Sequence, residues 1–173
     1  MILAEVNLQY IELAILLIVI TLIVLLILSF KKLRIEIALK SRVNVEGAQL
    51  KLQAIERLTL FAERSGLKNL VERMGVNGMS ASDLHQTLTQ TLKAEYDYNQ
   101  SQQIYVSPEV WNAITRLKDQ NIYIINHITA NLPPHATGLD LGKLIIEYSS
   151  NPNAELNVIV LDALQYEAKK ILN

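Results

Sequence analysis

The chain has 173 residues, 16 Lys+Arg against 17 Asp+Glu, an apolar half and no cysteine. That length holds one or two packed units. The lack of cysteine excludes a disulfide scaffold, Cys-ligated zinc, an iron–sulfur cluster and a thiol nucleophile, and a net charge of −1 argues against a broadly basic nucleic-acid binder.

The apolar excess is concentrated near the start. Leu13–Phe30 is a run of 18 residues without a charge, fifteen of them Leu, Ile, Val or Phe. As a helix it spans about 27 Å, close to the hydrocarbon thickness of a bilayer. Thr21 and Ser29 are its only hydroxyls, and each can bond back to a carbonyl one turn earlier. A buried core helix this uniformly apolar would need a much larger protein around it. A cleaved signal peptide would need a basic start and a small-residue cleavage site. Here Met1–Glu12 has no Lys or Arg, and Lys31-Lys32-Leu33-Arg34 follows the apolar run. The expectation is a retained single-pass anchor. Every basic residue lies after Phe30, so the positive-inside rule places residues 1–12 outside, 13–30 across the bacterial inner (cytoplasmic) membrane and the rest in the cytoplasm. Lys31, Lys32 and Arg34 are the candidate headgroup contacts.

Residues 31–47 read as a basic juxtamembrane segment. Leu33, Ile35, Ile37 and Leu39 alternate as in a strand, but nothing later reads as a partner strand. The segment is expected to continue the membrane helix in part and to break near Val43–Gly47, where β-branched residues and Gly lower helix propensity.

Residues 48–173 read as a cytoplasmic helical domain. Ala48–Ser65 puts Leu52, Ile55, Leu58, Phe61 and Ala62 on one face, with Gly66 as an expected left-handed stop. Leu67–Met74 is a short helix ended by Gly75, and Asn77-Gly78 is a turn signal. Ser80-Ala81-Ser82-Asp83 matches a capping box, with Met79 and Leu84 at the staple positions. The helix that follows is expected to reach about Gln103, with Leu84, Leu88, Leu92, Tyr96 and Asn99 in line. Ser107-Pro108 opens the next helix. Its apolar face is Trp111, Ile114, Leu117, Ile122, Ile125 and Ile128, and Pro133-Pro134 ends it near Leu132. Thr137–Asp140 is a second capping box. Asn151-Pro152 is expected to start a last helix with Leu156, Ile159, Val160, Ala163, Leu164 and Ile171 inward. The predicted architecture is all-α: one N-terminal transmembrane helix followed by a cytoplasmic bundle of about five helices.

The sequence offers little chemistry. His85, His127 and His135 have no second ligand at His-Glu-x-x-His spacing, and no phosphate loop or nucleophile elbow is present. No cofactor, metal or catalytic residue is expected, and nucleic acid is not expected as a partner. Arg57/Arg64 and Glu56/Glu63 recur seven residues apart, as a solvated stripe or a docking edge. Glu95–Tyr105 is the most unusual stretch, with three Tyr and three Gln. It is either a helix end with Tyr96 and Tyr105 packed inward or a protein contact, for which Asn99, Gln102, Gln103 and Tyr105 are the candidates.

Three stretches together resemble an uncharacterised bacterial family of single-pass membrane proteins: LKLQAIERLTLFAE (Leu50–Glu63), QQIYVSPEVW (Gln102–Trp111) and LPPHATGLDL (Leu132–Leu141). The likeness runs from about Lys51 to the C-terminus and leaves out Leu33–Gly47. It implies an anchor and a helical cytoplasmic domain, and it assigns no activity. The expected function is a non-enzymatic, membrane-tethered protein-interaction module, an adaptor or scaffold with an unidentified protein partner and the lipid bilayer as its second contact. The alternatives are a small accessory subunit of a larger membrane complex, or an enzyme whose site the sequence hides. Homo-oligomerisation through the Leu52–Phe61 face stays open.

Overall fold

The structure, a computed structural model, describes residues 2–151 and 156–172, with side chains from Leu13 onward apart from residue 14. Among these residues it is all helical, with no strand. The chain divides into two units, residues 1–47 and 48–173.

The secondary structure of the first unit belongs to one helix, α1 (Ile2–Ser65). Its apolar side chains face outward, from Leu13 at 61% exposure to Phe30 at 58%. The helix is long and apolar enough to cross a membrane, and no part of its most apolar window is buried inside the protein. That sets it apart from a core helix of this chain. Thr21 donates to the Ile18 carbonyl at 2.7 Å and Ser29 to that of Leu25 at 2.9 Å, so both hydroxyls are satisfied within the helix.

Two local expectations fail here. Leu33–Leu39 is helical, and α1 passes through Val43–Gly47 without the predicted break. One glycine raises the free energy of a helix by only about 1 kcal/mol. The i,i+4 pairs Glu36–Lys40 at 3.4 Å and Arg42–Glu46 at 3.1 Å support the same stretch.

The second unit contains the end of α1, then α2 (Leu67–Met74), α3 (Ala81–Asn99), a 3-10 segment (Gln100–Tyr105), α4 (Pro108–Ala130), α5 (Gly138–Ser149) and α6 (Asn157–Leu172). Its apolar residues form two clusters. One joins Leu67, Leu70 and Val71 of α2 to Leu84, Leu88 and Leu92 of α3, Ile124 and Ile125 of α4, and Leu141 and Ile145 of α5. The other joins Ile55, Leu58, Phe61 and Ala62 of α1 to Val110, Ile114 and Leu117 of α4, and Val160 and Leu164 of α6. Helix α4 therefore serves both. At its changeover Asn121 is buried and its amide donates to the Ser65 carbonyl at 2.6 Å, closing the last turn of α1.

The capping signals form as read. Ser80 Oγ accepts from the Asp83 amide at 3.1 Å, and the Asp83 carboxylate accepts from the Ser80 amide at 3.3 Å. Thr137 and Asp140 repeat the arrangement at 3.3 and 2.9 Å. The two boxes face each other. Ala81 N–H donates to the Ala136 carbonyl at 3.0 Å and Gly138 N–H to the Met79 carbonyl at 2.8 Å, an antiparallel bridge that couples the α2–α3 and α4–α5 turns. A Cβ on Gly138 would sit 3.0 Å from the Val76 carbonyl oxygen, so a side chain here would push the two turns apart by a few tenths of an ångström.

Other boundaries differ from the sequence reading. Gly66 has φ −53° and ψ 130°, extended rather than left-handed, and serves as the N-cap of α2. Its lack of a side chain matters for another reason, since a Cβ would meet the Asn157 amide at 3.0 Å. The left-handed glycines are Gly75 and Gly78. Helix α3 stops at Asn99, not near Gln103, because the Asn99 amide donates to the Glu95 carbonyl at 2.8 Å and the chain tightens into the 3-10 segment. Helix α4 ends at Ala130. The Asn151-Pro152 start falls partly outside the described residues. Ile159, expected inward, is 63% exposed, because α6 buries only the narrow stripe of Asn157, Val160 and Leu164.

Candidate interaction surfaces

Lys31, Lys32 and Arg34 are exposed on α1, where the apolar stretch ends. Of the four candidates at the end of α3, Asn99 and Gln102 are each 7% exposed, Gln103 is exposed and Tyr105 is half-buried. Asn99 and Gln102 therefore spend their side chains inside the fold, on the Glu95 carbonyl and on Ser101 respectively. Asn99 ends the inward face of α3, in line with Leu84, Leu88, Leu92 and Tyr96, whereas Gln102 is turned inward by the 3-10 segment. Tyr96 also points inward, stacked on Trp111 at 5.3 Å between centroids and edge-on to Phe61 at 6.2 Å.

Tyr105 and the neighbouring Ile104, 73% exposed, edge a groove of about 770 Å³ between the start of α4 and α6. Val106, Val110, Ala163 and Ile171 supply apolar wall, Tyr166 and Glu109 the rim, and Lys51 and Lys170 two cations. Lys170 lies 4.4 Å above the Tyr166 ring. At the groove floor the Glu167 carboxylate accepts from both the amide and the hydroxyl of Ser107, each at 2.6 Å. This completes a cap that α4 cannot complete itself, because its third helical residue is Val110 instead of an acid. Sequence reading missed Glu167, and the signal was Val110 at the third helical position, where a capping box has an acid.

A second, smaller pocket of about 280 Å³ lies between α1 and α3, lined by Arg57, Leu60, Phe61, Arg64, Ala94, Glu95, Tyr98 and Asn99. Glu95 Oε1 lies 3.5 Å from the Arg64 guanidinium and 3.1 Å from that of Arg73, and Arg73 also donates to the Arg64 carbonyl at 3.0 Å. The Arg57 guanidinium rests 4.9 Å from the Tyr98 ring centre. The stripe seen as Arg57/Arg64 is thus joined by Arg73 from α2, which spacing along α1 does not reveal.

His85 shares a 2.7 Å hydrogen bond with Asn126, His127 stacks on Tyr123, and His135 is exposed. Two coupled helix–loop–helix units invite comparison with calcium-binding pairs, whose loops carry oxygen ligands at positions 1, 3 and 5, glycine at 6 and glutamate at 12. With Gly78 at the glycine position, those ligand positions hold Arg73, Gly75, Asn77 and Leu84. The bridge aligns Thr137 with Ser80, which puts Ala130, Leu132, Pro134 and Leu141 in the second set. Leu84 and Leu141 are fully buried core residues, so these turns are built for packing. The Asp140 carboxyl lies below its ordinary value of 3.8, held there first by the Thr137 hydroxyl, then by the Thr137 amide and Lys143.

Residues 2–171 match a protein family described as a family of unknown function, DUF7935. The match takes in the Leu33–Gly47 stretch that the sequence motifs leave out. No curated protein and no solved structure matches the chain.

Proposed function

The chain belongs to the DUF7935 family, and we propose that it is a membrane-tethered adaptor. Residues 13–30 cross the cytoplasmic membrane, Lys31, Lys32 and Arg34 lie among headgroups, and the 48–173 domain offers its surfaces to a protein partner on the cytoplasmic side. The observation that carries this reading is the contrast between the two units. Residues 48–173 bury their large apolar side chains in two clusters, whereas Leu13–Phe30 finds no cover in the chain. A helical run of eighteen uncharged residues, whose described side chains are exposed, is matched in length and chemistry by a bilayer. The distribution of Lys and Arg orients the span. A tether raises the local concentration of a binding domain at one surface without any new contact. The groove edged by Ile104, Tyr105 and Tyr166 has the aromatic and aliphatic composition of protein interfaces.

The test is direct because the sequence has no cysteine. Single Asn7→Cys and Asn77→Cys variants are expressed in cells and treated with a membrane-impermeant maleimide before and after lysis, alongside alkaline carbonate extraction. The expected result is retention in the membrane pellet, labelling of Asn7→Cys in intact cells and labelling of Asn77→Cys only after lysis. A chain that washes off with carbonate, or one labelled at position 77 in intact cells, overturns the reading.

A further inference from the structure

The pocket between α1 and α3 has a charge imbalance that its own residues do not resolve. Two guanidiniums, of Arg57 and Arg64, line it with one carboxylate, Glu95, and that carboxylate is also paired with Arg73 from outside the pocket. Arg73 bridges Glu95 and the Arg64 carbonyl. Arg64 reaches Glu95 only through Nε, at 3.5 Å. Among the described residues Arg57 has no carboxylate partner, and it leans on the face of Tyr98. Glu63 and Glu72 line the neighbouring depression with Arg64 and Arg73, and neither lines this pocket. Beside the cations the wall is apolar, with Leu60 56% exposed and Tyr98 74% exposed. Guanidinium forks bind carboxylates with fixed geometry, and Arg and Tyr in a concave apolar surround are the residues that dominate binding energy at protein interfaces.

We propose that this pocket binds an acidic segment of a partner protein, with one carboxylate between Arg57 and Arg64 and a neighbouring apolar side chain against Leu60 and Tyr98. The inference rests on the adaptor reading and names the chemistry of its partner. Charge complementarity selects this occupant. The pocket presents two guanidiniums whose donors are mostly unused, set next to aliphatic and aromatic surface, and an acidic residue flanked by an apolar one satisfies both. Glu95 sets the strength of the site, since it competes with the incoming carboxylate for Arg64.

The test uses the full chain in nanodiscs of neutral lipid and a fluorescein-labelled peptide of alternating Glu and Leu, read by anisotropy. The acidic peptide is expected to bind and its Lys-for-Glu counterpart not to. The Arg57→Ala/Arg64→Ala variant should weaken binding by about tenfold or more, as for lost charge-assisted hydrogen bonds. Glu95→Gln should tighten it by about threefold, and Lys51→Ala/Lys170→Ala, in the other groove, should leave it unchanged. The proposal is overturned if the arginine variant binds as tightly as the parent, if Glu95→Gln weakens binding, or if the Lys peptide binds equally. It is also overturned if anionic-lipid nanodiscs or inorganic phosphate at the peptide's own concentration abolish binding, which would assign the arginines to a headgroup or a simple oxyanion. Crosslinked protein partners that survive the arginine substitutions would overturn this inference and leave the adaptor reading standing. Failure of carbonate retention would remove the tether and leave the pocket measurement intact.

Discussion

Replacing Glu167 by Ala should detach the last helix while the rest of the domain stays folded. Helix α6 buries three residues, Asn157, Val160 and Leu164, and packs on α4. Its polar attachment is the Glu167 carboxylate, which takes the Ser107 amide and hydroxyl at 2.6 Å each. A hydrogen bond to a charged group contributes about 1.5–3 kcal/mol. The site is half-buried, so water recovers part of that when the carboxylate is gone, and the two bonds together should amount to about 2 kcal/mol. That is roughly a 30-fold rise in the open population of α6. Native-state hydrogen exchange reads it: amides of α6 and of the first turn of α4 should exchange about 30-fold faster. Amides of α3 and α5, which belong to the other apolar cluster, should not change. Leu164→Ala, a fully buried side chain, serves as the positive control and should lower stability by about 2–5 kcal/mol. If Glu167→Ala leaves α6 protection unchanged while Leu164→Ala lowers it, the carboxylate does not hold the helix and the reasoning fails.

Three further outcomes follow from the same geometry. Gly138→Ala should lower stability by about 1–3 kcal/mol in urea titration, because a Cβ would press on the Val76 carbonyl oxygen at 3.0 Å; a gain, as helix propensity alone would give, contradicts the close approach of the two turns. Asp140 is depressed below 3.8 in the folded state, so its stabilisation is present above that value and fades as pH falls through the folded value. Asp140→Asn should therefore destabilise at neutral pH and converge with the parent in strong acid, and parallel pH–stability curves would refute this. Asn121→Leu should lower the melting temperature by leaving the buried Ser65 carbonyl without its 2.6 Å donor, at about 1–3 kcal/mol; an unchanged melting temperature would show that α1 closes without it.

What the sequence determined by itself is what depends on neighbours within about a turn. Ser80–Asp83 and Thr137–Asp140 carry every atom of their capping boxes within three residues, so their pattern could be read directly. The uncharged length of Leu13–Phe30 and the hydroxyl back-bonds of Thr21 and Ser29 are equally local, and so is the apolar spacing of Ile55, Leu58, Phe61 and Ala62. Local reading failed where a residue's role depends on something distant. Gly47 looked like a break, but one weak helix former does not outweigh a supported helix. Gly66 looked like a left-handed stop; its lack of a side chain makes room for Asn157 of α6. Gln102 looked outward, and the 3-10 turn brought it inside; Asn99, a candidate contact, instead ends the buried face of α3. The tertiary structure alone decided that Glu167 caps a helix 60 residues earlier, that Arg73 meets Glu95 across 22 residues, and that Ser80 and Thr137 pair. Each of these contacts joins separate helices through side chains or single amides, and their partners are chosen by how the two apolar clusters bring those helices together. That is a property of the packed core, which no window of neighbouring residues contains.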